Sequence, residues 1–208
     1  MKTEIIVAGA GAHAKVCVEI LHAMGKYVAY CVGKEDSPSR CVGVPVLIGD
    51  EHLSALRAQG YAQLFIAVAS NSLRNQLAKL GCGFGYQLVN AISPSAIISP
   101  SAKLGHGIAV MPNAVINAEA TIEDLAIINT GATVDHDCHI GRASHIAPQC
   151  GLAGNVSVGA LSFLGIGTKV IPDIRIGRNV TIGAGGVVIR DIDDGVTAVG
   201  VPARVLSE

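Results

Sequence analysis

Counting forward in sixes from Ile98, through Ile128, Val134, Ile140 and Ile146 to Val188, meets Ile, Leu or Val at each of sixteen positions. Four residues after each of these runs a second column of small or β-branched residues, among them Ala114, Ala120, Ala126, Ala132, Cys138, Ser144 and Cys150. The residue directly after the aliphatic is often Gly, Asn, Asp or Ala, types that suit tight or left-handed turns. A period of six matches neither the 3.6 of a helix nor the two of a strand. It predicts short strands joined by tight turns, three to a coil, wound into a triangular parallel β-helix with both columns inside. An aromatic content of 3% with no Trp fits an interior too narrow for large rings.

The frame sorts the polar residues of the segment NTGATVDHDCHIGRASHIAP, residues 129 to 148. Cys138 and Cys150 fall in the inward column and read as packing residues rather than nucleophiles. His136, Asp137, His139 and His145 fall at outward positions. Residues 18 apart stack in adjacent coils, so His136 lies between Ala118 and Gly154, whose small side chains leave room for its ring. His139 lies between Thr121 and Ser157, and His145 between Ile127 and Phe163. Leu125, Ile127, Leu161, Phe163 and Ile166 also read as outward, more apolar surface than a solvated face carries. A subunit interface follows as the expectation, and for a three-sided prism a homotrimer, with His136 and His145 in or near a cleft between subunits.

Three chemistries compete for these histidines. They can be interface or surface groups without chemistry. They can be metal ligands, as in the trimeric β-helical gamma-class carbonic anhydrases, with His106 joining two of His136, His139 and His145. Zinc needs its ligands to converge within about 2 Å of one point, and this spacing fits that poorly. Or an imidazole serves as general base for acyl transfer from a thioester, since its pKa lies near neutrality. Asp137, in a turn beside His136, can then fold back to fix the tautomer.

Residues 1–90 lack the six-residue frame. EIIVAG reads as a strand, followed by Gly9-Ala10-Gly11-Ala12-His13 and an amphipathic helix KVCVEILHAMG. Strand YVAYCV, helix EHLSALRAQG, strand LFIAVAS, helix SLRNQLAKLG and strand YQLVNAI follow. This alternation predicts a small α/β domain with a parallel sheet. Its first turn matches GxGxxA, a pattern in which glycines let backbone N–H groups approach a phosphate at a helix N-terminus. A tight structural turn is the plain alternative, and about 90 residues are too few for the two mononucleotide halves of a dinucleotide fold.

The remaining features exclude classes. With 15 basic and 16 acidic residues the formal net charge is −1, and no basic run points to nucleic acid or an anionic membrane. No 18-residue apolar run is present, and the start MKTEIIVAGAG reads as a strand rather than a signal peptide. Six cysteines without CxxC spacing fit reduced thiols in a cytoplasmic protein.

The run NTGATVDHDCHIG, followed by SHIAP, AGNVSVGALSFLGIGTKVIP and the ending GVPAR, resembles the hexapeptide-repeat sugar acetyltransferases of the sialic-acid O-acetyltransferase and bacillosamine-pathway N-acetyltransferase group. The resemblance spans essentially the whole chain. It implies a Rossmann-like nucleotide-sugar domain at 1–90 and a left-handed β-helix binding acetyl-CoA at 91–208. It also implies acetyl transfer to the amino group of a nucleotide-linked amino-dideoxy sugar, such as GDP-perosamine or a UDP-4-amino sugar, in the assembly of lipopolysaccharide or related glycans. Matched position by position, His136 is the base and Asp137 the acid that raises its basicity, while His145, Ile166 and Ala184 contact acetyl-CoA. Gly11, Ala12 and His13 match diphosphate and sugar contacts, Ala69 a further substrate contact, and Asn71 and Arg74 residues commonly present after that strand. No metal is implied. O-acetylation of a sialic acid, a zinc enzyme and a non-catalytic scaffold are the alternatives. One departure stands out: relatives carry an aspartate where this chain has Gly33, followed by Lys34 and Glu35.

Overall fold

A computed structural model describes residues 2–206, which form two compact units divided between Pro94 and Ser95. The first unit is built on a sheet of order β3-β4-β2-β1-β5-β6. Strands β1 (Lys2–Ala8), β2 (Val28–Gly33), β4 (Val44–Ile48), β5 (Tyr61–Ile66) and β6 (Gln87–Leu88) pair in parallel, while β3 (Arg40–Cys41) returns antiparallel to β4. Helices α1 (Ala12–Ala23), α2 (Glu51–Ala58) and α3 (Asn71–Gly83) connect them. Central strand β1 is apolar along its second half, Ile5 to Ala8, and buried there, as a strand covered on both faces must be. The β3–β4 pair has no counterpart in the sequence expectation. Its strands are short, one contains Pro45, and the turn is made by Val42 and Gly43 at positive φ, so no alternation marks it.

The second unit is a left-handed parallel β-helix. Each wall is a ladder of two-residue strands joined in 18-residue register, such as Thr121↔His139↔Ser157 on one wall and Ile127↔His145↔Phe163 on another. From Val110 to Val188 every member of the aliphatic column is buried, and Ala114, Ala120, Ala126 and Ala132 beside it are fully enclosed. Ile98 and Leu104 are only half-buried, because their strands, Ile97–Ile98 and Lys103–Leu104, end their sheets and have a ladder neighbour on one side only.

Two features of the turns differ from the sequence expectation. The left-handed residue is the third after the aliphatic, not the first, and it recurs every six residues from Gly107 to Gly185 with φ between 53 and 73°. Leu125, Ala143 and Leu161 adopt it despite their Cβ atoms, at about 1–2 kcal/mol each. The gain is a hydrogen bond between coils: the N–H of Asp137 donates to Ala118 O (3.0 Å), that of Asn155 to His136 O (2.9 Å), and that of Leu161 to Arg142 O (2.9 Å). The glycines directly after the aliphatics answer a different need. A Cβ on Gly141 would lie 2.6 Å from Ala160 N, and one on Gly159 2.5 Å from Gly177 C, so the corners stack too closely for a side chain.

The outward apolar positions are also less open than expected. Leu125 and Ile127 are fully buried and His145 is 6% exposed within the single chain, whereas Leu161 and Phe163 are half-buried and Ile166 is 54% exposed. In the ladder Ile127 lies between Ala109 and His145, both buried, whereas His139, equally central on another wall, is exposed. Replacing Ile140, fully buried mid-column, with Ala should lower stability by about 2–5 kcal/mol, read as a reduced denaturant midpoint at fixed protein concentration.

Candidate active site

The corner at residues 135–137 is held before any chemistry is considered. Asp135 Oδ1 accepts from the His136 N–H (2.8 Å) and from Asn117 Nδ2 (2.9 Å) one coil away. The Asn117 contact first, and the His136 N–H second, keep the Asp135 carboxyl below the usual carboxylate range. Asp137 occupies the left-handed position, φ 59°, and its carboxylate folds back on the preceding residue. Its Oδ2 lies 2.8 Å from His136 Nδ1. Both side chains are more than half exposed. The hydrogen bond from Asp137 is the main cause that lifts the His136 pKa above its ordinary value. With Nδ1–H donating to the carboxylate, Nε2 is left as the basic nitrogen.

The His136 ring lies against Gly154 in the next coil. A Cβ there would stand 2.5 Å from Nε2 and closer still to Cε1, so the ring occupies the space a side chain would fill. The small neighbour read from the 18-residue spacing is therefore a contact surface for the ring rather than empty space.

The other histidines are engaged separately. His139 Nε2 meets Glu123 Oε1 at 3.0 Å. His145 packs edge-on against Phe163, ring centroids 5.2 Å apart, and its Nε2 lies 2.9 Å from Asn129 Nδ2. Asn129 Oδ1 accepts from the Thr130 N–H (2.8 Å), which turns the amide nitrogen toward His145 as donor. In this orientation the amide donates and Nε2 accepts. Among the described residues no three His, Cys, Asp or Glu side chains come together as a metal-binding group. Cys138 and Cys150 are 1% exposed, as the inward frame expects, and burial pushes both thiols up.

Around each coil, His136 stands at the corner before the wall of His139, whereas His145 lies on the following wall. Ile166 and Ala184, both exposed and 18 residues apart, stack along the edge after that wall, where Gly185 N–H donates to Ile166 O (2.8 Å). Within one chain, His136 and the Ile166–Ala184 edge are different corners of the triangle. A groove of about 670 Å³ on the wall of His139, Ser157 and Arg175 is lined by neither His136 nor His145.

In the first unit, Gly11 is the N-cap of α1, with exposed Ala12 and half-buried His13 in its first turn. Burial, and then the charge of Arg74, hold the His13 pKa down to about 4. Ala69 is exposed on the turn after β5. At Gly33, a Cβ would lie 2.5 Å from Ser37 Oγ, and the Lys34 N–H donates to that same oxygen (3.0 Å). The segment after β2 thus closes over Gly33, the position the resemblance singled out as a departure. Lys34 pairs with Asp36 in solvent, 3.0 Å apart. Two supports escaped the sequence reading, Asn117 behind Asp135 and Asn129 behind His145. The first carried a signal, since Asn117 and Asp135 are 18 residues apart in one column.

Residues 4–80 match the family model described as the PglD N-terminal domain. A variant of perosamine N-acetyltransferase from Caulobacter crescentus, solved with CoA and GDP-perosamine, is 49% identical with a TM-score of 0.96, covering 99% of this chain and 97% of that one. The acetyltransferase domain of PglB from Neisseria gonorrhoeae, solved with acetyl coenzyme A, is 37% identical with a TM-score of 0.92, covering 99% and 100%. Serine acetyltransferase of Synechococcus elongatus is 40% identical over 111 residues, 52% of this chain and 41% of that protein. The chain thus spans about two fifths of the length of the curated relatives it matches. With the whole length shared at this identity and both units superimposing, the chain belongs to the hexapeptide-repeat sugar acetyltransferase family.

Proposed function

We propose that the protein is an acetyl-CoA-dependent N-acetyltransferase acting on the amino group of a nucleotide-linked amino-dideoxy sugar, with acetyl-CoA as cosubstrate and no metal. The observation that carries this reading is the His136–Asp137 pair, an exposed imidazole with Nδ1 bonded to a carboxylate at 2.8 Å and Nε2 available. The amine nitrogen attacks the thioester carbonyl carbon, the carbon–sulfur bond breaks, and CoA leaves as thiolate. Nε2 accepts the proton that the nitrogen loses, and Asp137 stabilises the imidazolium formed. The proton then passes to the thiolate. Buried Cys138 supports direct attack over an acyl-cysteine intermediate.

His145, Ile166 and Ala184 are assigned to acetyl-CoA, and Gly11, Ala12, His13 and Ala69 to the nucleotide sugar. Complexes of the Caulobacter enzyme with CoA and GDP-perosamine support the two ligand classes. A homotrimer is part of the reading. Thioester chemistry benefits from excluded water, yet His136 is 60% exposed in a single chain and sits at a different corner from Ile166 and Ala184. A second copy, presenting that edge to the His136 corner, satisfies both conditions. No helix among the described residues is long and apolar enough to cross a membrane, and the cosubstrate and acceptor class fit a cytoplasmic enzyme.

The deciding experiment is a screen of GDP-, UDP- and dTDP-linked amino sugars against free sugars, including sialic acid, reading release of free CoA thiol. Turnover of free sugars alone would replace the N-acetyl reading with O-acetylation, and no turnover of any acceptor would leave a scaffold.

Three variants test the base. His136→Asn should reduce kcat by about a hundredfold or more with acetyl-CoA binding kept, and retention of more than about a tenth of the rate would remove His136 from that role. Because Asp137 raises the His136 pKa, the working neutral form is lost as pH falls through a value above the ordinary 6.5. Asp137→Asn should therefore move the acid limb of the kcat profile to lower pH, with a plateau reduced about tenfold or more. Gly154→Ala should displace the ring from Asp137, dropping kcat about tenfold or more and returning the His136 NMR titration toward the ordinary value. An unchanged rate and titration would show that the ring tolerates the methyl group.

A further inference from the structure

Arg74 is, among the described residues, the one Lys, Arg, Asp or Glu side chain that is buried, at 1% exposure. A guanidinium is costly to enclose unless its N–H groups are satisfied. Here Nη1 donates to Val68 O (3.0 Å) and Ala69 O (2.9 Å), and Nη2 to Asn71 Oδ1 (2.8 Å). One planar side chain thus ties three points of the turn between β5 and α3. Burial lowers its pKa to about 10, so it is charged at neutral pH.

The place of that turn gives the clamp its meaning. The chain leaves β1 toward β2 and β4 on one side, then returns to lay β5 on the other side of β1. The carboxyl ends of β1 and β5 therefore flank the switch point of the sheet, where open α/β sheets bind ligands. The two turns touch there. Gly9, at φ 119°, could carry no Cβ because it would lie 2.6 Å from Ala67 O. By this topology Gly11 to His13, at the start of α1, and residues 68–71, before α3, lie on the two sides of the switch point. Arg74 also acts across it, being the second cause that keeps His13 neutral.

We propose that Arg74 is the positioning residue of the nucleotide-sugar pocket. Its guanidinium holds the turn after β5 beside the glycine turn after β1, so that the crevice accepts the diphosphate of the acceptor without reorganising. This deepens the assignment of a nucleotide-linked acceptor and rests on it. Preorganisation of this kind appears in affinity rather than in the chemical step.

The experiment compares full-length wild type, Arg74→Gln and Arg74→Lys, using the nucleotide-linked amino sugar that wild type turns over fastest in the screen. Arg74→Gln should raise the acceptor KM about tenfold or more, with kcat and the acetyl-CoA KM within about twofold. Arg74→Lys keeps the charge but not the fork, and should recover only part of that loss. By NMR, His13 should titrate above 4 in the Gln variant and closer to wild type in the Lys variant. An acceptor KM within about twofold of wild type in Arg74→Gln overturns the proposal, as does a loss confined to kcat, the mark of a merely unstable enzyme. Should Arg74→Gln fail to fold by circular dichroism, Asn71→Ala removes one acceptor of the fork. A rise of about threefold in acceptor KM is then expected, and no rise overturns the proposal. If wild type turns over no nucleotide-linked sugar, the assignment of the acceptor falls, and the positioning role falls with it. An active wild type with an indifferent Arg74→Gln removes the positioning role alone.

Discussion

Everything in the second unit depends on the coils stacking one strand spacing apart, with the corners from Leu125 to Gly185 passing their N–H to a carbonyl of the coil beside them. The left-handed residue at each turn makes this possible. It reverses the peptide so that the corner N–H donates backward, as from Asp137 to Ala118, while wall N–H groups donate forward, as from His139 to Val156. Buried backbone groups must be paired, and the ladder repeats this pairing from Leu125 to Gly185. That repetition is why Leu125 and Leu161 accept a backbone conformation their side chains disfavour.

The candidate catalytic pair is a by-product of that constraint. Adjacent side chains on a regular strand point to opposite faces, so a histidine and an aspartate next to each other would diverge. At the corner, Asp137 takes the left-handed position and its carboxylate reaches the ring of the residue before it. The same stacking brings Gly154 against that ring and Asn117 against Asp135, whose carboxylate also accepts from the His136 N–H. A prism designed only for stability would need none of these residue types. It would also have no reason to place an imidazole where the next coil has no side chain.

The first unit uses a different device for a related end. Its parallel sheet reverses direction at β1, and the ends of β1 and β5 approach so closely that Gly9 and the carbonyl of Ala67 nearly meet. Arg74 stiffens one lip of that crevice from beneath. At the end of β2, Ser37 closes over Gly33, leaving no room for a side chain there unless that segment moves.

The sequence alone determined the β-helix, because a period of six leaves one way to bury an aliphatic and a small column together. It also separated inward Cys138 from outward His136, since a fixed period assigns each residue a side. The α/β order of the first unit was legible from alternating strand and helix patterns, apart from the short β3–β4 hairpin. Only the tertiary structure decided the partners: the fold-back of Asp137, the burial of His145 with Asn129 and Phe163, and the enclosure of Arg74 by the turn it holds. Periodicity specifies which way a residue faces. The distance and angle at which two polar groups meet depend on backbone dihedrals and on neighbours a coil or a strand away, which no local pattern encodes.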